Sequence, residues 1–341
     1  MQVNHAPYSQ FNLVHDMLAA ADAIQSFDPS VLDVTAREIA VVGKLLFTGE
    51  GSSRLFPAKS AIRHSREQGW STILHTEAGR QAQDYKLSDW AVLGLSNSGR
   101  TAEVIRLFTK LKESNHSHRY SLTAIPDSAL EALANRGHVL RCGKEGAVAA
   151  TKSVVEQALC CRALVEKIAG KCSLAPRLSK LADQFRTALT MPVDPALTQK
   201  IQNAGTIFFA GCNDGVAEEL TLKTNEITRQ RSDFLEGTYA VHGIEEVMQA
   251  SDVVIWIDPY QESEQKFHDV LVKGVGLTVI AISSRPTMFP TLLIPDAGDL
   301  AGFVQLAAGW NLLVKVGMRR GINVDKPERA RKVGNEITAA T

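Results

Sequence analysis

One pattern in this sequence occurs twice, and that repeat narrows the folds open to the chain more than any other feature. Phe47-Thr48-Gly49 recurs as Phe209-Ala210-Gly211 at an offset of 162, and Ser88-Asp89-Trp90-Ala91-Val92-Leu93 recurs as Ser251-Asp252-Val253-Val254-Ile255-Trp256 at an offset of 163. Two agreements at a near-constant offset imply duplicated domains. In the first copy an apolar run over 44–49 ends in glycine, a helical stretch follows over 55–68, and further strands are expected near 71–75 and 90–95. Strands that alternate with helices predict an α/β fold with a parallel sheet.

Four segments follow from this layout. An N-terminal helical segment (1–32) carries Phe11, Val14, Leu18 and Ala21 at helical spacing before Asp28-Pro29-Ser30 breaks the pattern. Module 1 is expected over 33–185, module 2 over 190–320 with its last helix near 299–319, and a polar tail over 321–341. The break between modules falls near 174–195, where Leu174-Ala175-Pro176 and Met191-Pro192-Val193-Asp194-Pro195 interrupt a charged helical stretch.

Charge decides which partners the chain can attract. Lys plus Arg (37) equals Asp plus Glu (37), so no basic field exists to gather nucleic acid or an acidic membrane, and neither is expected as a partner. An anionic ligand must then be held by local groups. The five cysteines show no Cys-x-x-Cys spacing, the N-terminus lacks a charged leader with an apolar core, and no apolar run reaches the roughly 20 residues of a membrane span. A soluble cytoplasmic protein with reduced thiols is expected.

The strongest chemical motif is Leu95-Ser96-Asn97-Ser98-Gly99-Arg100-Thr101, set where an apolar strand ends and a helix begins. Parallel sheets bind ligands beyond the carboxyl ends of their strands, and a helix N-terminus offers unpaired N–H groups to an anion. Ser96, Ser98 and Thr101 add hydroxyls and Asn97 an amide, while Gly99 lets backbone approach. Hydrogen bonds to a charged group contribute roughly 1.5–3 kcal/mol each, enough together to hold a phosphate without a lysine cluster. A helix cap alone would need one hydroxyl. The equivalent loop of module 2 reads Asp258-Pro259-Tyr260-Gln261 and offers a carboxylate instead, so one phosphate site per chain is expected.

At the first strand end, Gly49-Glu50-Gly51 begins like a dinucleotide-binding loop, but Arg54 stands where the third glycine belongs. The loop reads better as a second edge of the pocket, with Ser52 and Ser53 turned inward, or as a helix cap by Ser53. No cofactor is expected; a nicotinamide-dependent dehydrogenase would rest on those two glycines alone. His116 and His118 lie in a polar turn without partner ligands, so no metal is expected either. Cys160-Cys161 falls mid-helix and reads as packing.

A helix predicted over 216–231 places Glu219, Lys223 and Glu226 in one stripe beside the apolar Val216, Leu220 and Ile227. A surface ion-pair ladder is the plain reading. The loop that follows, Leu235-Glu236-Gly237-Thr238-Tyr239-Ala240-Val241-His242-Gly243, argues for chemistry instead, because an imidazole and an enclosed carboxylate together suit enolisation of a sugar.

These residues resemble the double-SIS (sugar isomerase) family, in particular the isomerase half of glucosamine-6-phosphate synthases, from about residue 35 to the tail. Gly51-Ser52-Ser53 is similar to the family's Gly-Thr-Ser, Ser96 to Thr101 to its Ser-Gln-Ser-Gly-Glu-Thr, and His75-Thr76-Glu77 to its Ala-Ser-Glu. Glu145-Gly146-Ala147-Val148-Ala149-Ala150-Thr151-Lys152 resembles Glu-Ile-Gly-Val-Ala-Ser-Thr-Lys, which implies that Val148, Ala149 and Ala150 line the sugar. Glu219, Lys223 and Glu226 match the family spacing without a gap, and counting on places His242-Gly243 on its catalytic His-Gly. The tail Gly321 to Pro327 is similar to Gly-Thr-Asp-Val-Asp-Gln-Pro, and an ungapped count places Lys332 on the lysine that holds the open-chain sugar.

The resemblance implies two flavodoxin-like SIS modules, each a parallel five-stranded sheet between helices, with the tail entering the active site. His242 would open the ring, Glu226 would move a proton between C1 and C2, and Lys332 would engage the carbonyl, as an imine or through its oxygen. It also implies a homodimer in which His242 comes from the neighbouring subunit. The family's N-terminal glutaminase is not expected here, since the chain begins Met1-Gln2-Val3 and is too short for it. Asn97, Ala150 and Arg331 replace family residues and bear on substrate identity. The expected activity is a phosphosugar isomerase or deaminase acting on a hexosamine or ketose 6-phosphate. Alternatives are a fructosamine-6-phosphate deglycase and a non-catalytic sugar-phosphate sensor.

Overall fold

The structure, a computed structural model, describes Met1 and residues 8–329. They group into two units, one of Asp22–Ser179 and one joining Met1–Ala21 to Lys180–Pro327.

The first unit is a five-stranded parallel sheet of β1 (Lys44–Gly49), β2 (Ile73–Ala78), β3 (Ala91–Leu95), β4 (Arg119–Thr123) and β5 (Arg136–Val139), in the order β2-β1-β3-β4-β5. β3 and β4 are buried throughout, as expected of central strands in a sheet covered on both faces. Edge strand β2 is only partly covered, with Ile73 53% exposed. The chain's leading helix, α1 (Asn12–Ser26), is followed here by α2 (Asp33–Val42), α3 (Leu55–Glu67), α4 (Ala102–Glu113) and α5 (Lys152–Ile168). α4 buries Val104, Ile105, Phe108 and Leu111 in one helical stripe against Leu46 of β1 and Val92 of β3. Gly94 makes this packing close, because a Cβ there would meet the Phe108 ring at 2.8 Å. α2 and α3 pack against α5 beside β1 and β2.

The second unit repeats the plan with β6 (Ile207–Gly211), β7 (Ser232–Glu236), β8 (Val253–Ile257), β9 (Thr278–Ser283) and β10 (Thr291–Leu293), ordered β7-β6-β8-β9-β10 and again parallel. Counted from its first strand, each sheet reads 2-1-3-4-5. Trp256 stacks on Phe267 at a centroid distance of 3.5 Å in a core completed by Leu271, Val279 and Phe289. Chain direction from strand to strand reverses between β1 and β3, and again between β6 and β8; such switch points open a crevice at the carboxyl ends.

Three helices matter for the second unit. α6 (Leu178–Thr190) crosses the boundary between units and packs Phe185 edge-on to Trp310. α7 (Val216–Thr228) lies against α8 (Ala301–Arg319). The contact is tight: a Cβ on Gly309 would collide with the Leu220 side chain, and one on Gly317 would lie 2.7 Å from the Ile227 carbonyl. The segment Gly298–Arg319 is long and apolar enough to cross a membrane by composition, yet 83% of its most apolar window is buried within the protein, as in a core helix.

α7 ends three residues before the sequence pattern does, because Arg229 adopts a left-handed conformation (φ 55°) and closes the helix. The start and end of the second unit are also tied together. The Asp325 carboxylate accepts the N–H groups of Asn12 (3.0 Å) and Leu13 (2.8 Å), satisfying the otherwise unpaired first turn of α1.

Candidate active site

In the first unit, three candidate loops leave the carboxyl edge of one sheet, after β1, β3 and β5. The β3 loop is a closed hydrogen-bonded turn. Ser96, 1% exposed, has its Oγ 2.8 Å from Thr101 Oγ1 and accepts the Gly99 N–H at 3.1 Å. Ser98 Oγ accepts the Arg100 N–H, and the Asn97 carbonyl accepts the Ala124 N–H. Gly99 has φ +65°, and any Cβ there would collide with Ser128. Thr101 occupies the N-cap of α4 without capping it by its side chain. No side-chain cap therefore takes up the first N–H groups of α4, and a helix N-terminus of this kind favours an anion.

The β1 loop is a single turn, Gly51–Ser53, in which the Arg54 N–H bonds the Gly51 carbonyl at 2.9 Å. Ser52 and Ser53 are half-buried, and Arg54 rather than Ser53 is the N-cap residue of α3, with no side-chain cap bond. Glu50 turns back to accept the Gly79 N–H at 2.9 Å. Burial raises the Glu50 carboxyl above the ordinary glutamate value, against the opposing pull of that hydrogen bond.

The loop after β5 carries Val148, Ala149 and Ala150 and is clamped by two carboxylates that no chemical pattern in the sequence singles out. Glu145, 5% exposed, accepts the Thr151 and Ser153 N–H groups at 2.9 Å each and the Ser153 hydroxyl at 2.7 Å, capping α5 from outside. Glu156, on α5, accepts the N–H groups of Arg141 (2.8 Å) and Cys142 (2.7 Å). The available signal was an acidic residue six positions before a Thr-Lys-Ser helix start, which is too common to be diagnostic.

In the second unit the charged stripe of α7 is no surface ladder. Lys223 and Glu219 are fully buried, Lys223 Nζ lies 3.2 Å from Glu219 Oε1 and 2.7 Å from Glu226 Oε2, and the Glu226 side chain remains 32% exposed. Burial alone would pull the Lys223 ammonium down; the two carboxylates outweigh it and hold the pKa above the ordinary lysine value. Lys223 is thus held as a cation between two carboxylates, and Glu226 is the member of the trio with an open side. His242 sits exposed at the end of the turn Tyr239–Val241, its Nε2 3.2 Å from Thr238 Oγ1. No hydrogen bond joins His242 to Glu226. Lys332 lies outside the described residues. The tail leading to it is pinned beside the end of α7, where Arg229 donates to the carbonyls of Asn323 (3.2 Å) and Lys326 (2.8 Å).

The second unit's own switch point is built differently. Cys212 Sγ and Tyr260 Oη meet at 3.1 Å between the ends of β6 and β8, and Asp258 is exposed with φ +49°. Among the described residues no group of three or more His, Cys, Asp or Glu is placed to hold a metal. His116 is buried with Nε2 2.9 Å from the Leu87 carbonyl, and the five cysteines are free thiols, Cys160 and Cys161 buried on α5.

No family model matches the sequence. Among curated proteins, glutamine–fructose-6-phosphate aminotransferase (isomerizing) of Oceanobacillus iheyensis is 23% identical over 253 residues, 70% of this chain and 42% of that protein. The chain therefore spans less than half the length of that relative. Among solved structures, the C-terminal domain of glucosamine-fructose-6-phosphate aminotransferase from Francisella tularensis superposes with a TM-score of 0.78 at 16% identity, covering 96% of this chain and 100% of that one. Tagatose-6-phosphate ketose/aldose isomerase from Escherichia coli gives 0.77 at 16% identity, covering 96% and 97%. The chain has the sugar-isomerase fold. Its two parallel five-stranded sheets flanked by helices are the architecture of that fold. The three candidate loops and α7 are then features of this sequence mounted on the sugar-isomerase scaffold.

Proposed function

We propose that the protein is a phosphosugar isomerase or deaminase acting on a hexosamine or ketose 6-phosphate. The observation that carries this reading is the buried trio on α7. Two charges held fully out of water are costly unless paired, and here they present one partly open carboxylate, Glu226. A module that only sensed a sugar phosphate would need the Ser96 to Thr101 loop and would have no use for that trio.

In the proposed reaction the phosphate rests on the Ser96–Thr101 loop and the first turn of α4. His242 moves the proton that opens the ring. Glu226 then takes the proton from the carbon beside the carbonyl, leaving an enediol, and returns it to the neighbouring carbon. For an amino sugar the same proton transfer gives the C2 imine, and water then hydrolyses its C=N bond to leave the ketose phosphate and ammonia. Lys332 would engage the carbonyl, and the pinned tail beside the end of α7 supports that approach. The exposure of His242 supports its delivery into the site of a second copy, as the resemblance implies.

The test is turnover of glucosamine 6-phosphate, related hexosamine phosphates and ketose 6-phosphates by the full chain. Turnover of one of them is expected, with Glu226→Gln slowing it by about 10²–10⁴ while ligand binding persists. No turnover across the panel, or an unchanged rate in Glu226→Gln, would overturn the reading.

A further inference from the structure

We infer that Arg54 is the charged ligand of the substrate's phosphate, and therefore a specificity-determining residue of the proposed site. This rests on the phosphosugar reading above. Arg54 stands at the switch point itself. Its Cβ lies 3.5 Å from the point a Cβ on Gly49 would occupy, and the carbonyl oxygen of Leu95, the residue immediately before Ser96, lies 2.7 Å from that same point. The Arg54 Cβ is thus set beside the ends of β1 and β3, where the hydroxyl loop begins.

The guanidinium is unusual for this protein. Other enclosed or half-enclosed arginines are engaged: Arg162 with Glu166, Arg136 with Glu38, Arg285 with Glu264 and the Pro259 carbonyl, and Arg119 with the carbonyls of Leu133 and His116. Arg54 Nε is buried and meets no acceptor, and its side chain forms no hydrogen bond or close ion pair with a described residue. A guanidinium stays protonated and carries five N–H donors, and enclosing the Nε–H without an acceptor is costly.

The surroundings say which partner it lacks. Glu50 feels the Arg54 charge but spends an oxygen on the Gly79 N–H, and Glu103, in the first turn of α4, has an enclosed Oε2 without a donor. Both carboxylates would oppose a phosphate dianion resting on neutral hydroxyls alone. With a net charge of zero, the chain offers no general field to offset them. Arg54 supplies a cation at that place, and its planar fork matches two phosphate oxygens at once.

The experiment titrates the full chain, wild type and Arg54→Gln, with inorganic phosphate, glucosamine 6-phosphate and unphosphorylated glucosamine, alongside circular dichroism as a check of fold. Arg54→Gln should weaken both phosphorylated probes by about 10- to 100-fold and leave the unphosphorylated one unchanged. In turnover, KM should rise by the same factor with kcat within about threefold. A second readout needs no variant: phenylglyoxal labelling of wild-type Arg54, mapped by mass spectrometry, should slow in saturating phosphate. Equal phosphate affinity in a folded Arg54→Gln, or labelling that phosphate leaves untouched, would overturn the assignment and leave the phosphosugar reading standing. If wild type bound neither phosphate nor the sugar phosphate, both would fall.

Discussion

At the carboxyl ends of β1 and β3 the chain places Glu50, two glycines with positive φ, four serines, Arg54 and the N-terminus of a twelve-residue helix. At the corresponding ends of β6 and β8 it places Cys212 against Tyr260, and Asp258 followed by proline and a short turn. The strand order is the same in both sheets, so topology supplies a crevice twice. Loop chemistry decides which crevice can receive an anion. The helices after the first strands divide in the opposite sense: α3 buries Phe56, Ala58, Ala61 and Ile62, whereas α7 buries Glu219 and Lys223. On the proposed reading, the first unit is the anchoring half and the second the charged, reactive half.

The sharpest way to break this comparison is to make α7 resemble α3. Lys223→Met leaves Glu219 buried without its cation, so the second unit should lose about 3–5 kcal/mol in urea unfolding. Replacing Glu219 by Gln at the same time should restore most of it, since the cost lies in the unpaired charge. A single substitution that proved neutral would mean that α7 holds no working charge network, and the reactive half would lose its basis.

A second test removes what only the first switch point has. Gly99→Val forces a β-branched residue to φ +65° and drives its Cβ into Ser128. A loss of about 2–4 kcal/mol is expected, together with loss of phosphate binding by calorimetry. Retained phosphate affinity would show that the loop after β3 is not the anchor.

Much of this division was legible in the sequence for a physical reason. Apolar runs ending in glycine are local signals, so Phe47-Thr48-Gly49 and Phe209-Ala210-Gly211 fall at matching places in β1 and β6. The i, i+4, i+7 spacing of Glu219, Lys223 and Glu226 likewise survives folding into α7, although the sequence could not tell a buried trio from an exposed one. That depended on Gly309 and Gly317 letting α8 close over the helix. The clamps Glu145 and Glu156 were not legible, because each holds backbone N–H groups across a loop whose path has no period. Arg54 was visible only as a broken glycine motif; its missing partner is a property of three dimensions.

A milder test acts on the second switch point. Asp258 holds φ +49°, a conformation that glycine adopts without the roughly 1–2 kcal/mol strain of other residues. Asp258→Gly should therefore raise stability by up to about 1 kcal/mol and leave sugar-phosphate turnover within twofold. A tenfold fall in kcat/KM would make the second crevice functional and end the asymmetry.

The smallest effect is expected at Glu50, which occupies in the first unit the place of Cys212 in the second. Burial raises its folded pKa above the unfolded glutamate value, and the neighbouring Glu103 adds to the rise against the Gly79 N–H and Arg54. The sign follows by linkage. Stability from the protonated form is fully present below the ordinary glutamate pKa and is lost as pH climbs through the raised folded value, so at neutral pH the ionised Glu50 costs stability. Glu50→Gln keeps an oxygen for the Gly79 N–H and removes the charge. Its melting temperature should exceed that of wild type at pH 7 and approach it at pH 4, and phosphate affinity should rise with one repulsive carboxylate gone. If the gain appeared at pH 4 and vanished at pH 7, Glu50 would be a stabilising anion, and the carboxylates beside Arg54 would not be what its charge offsets.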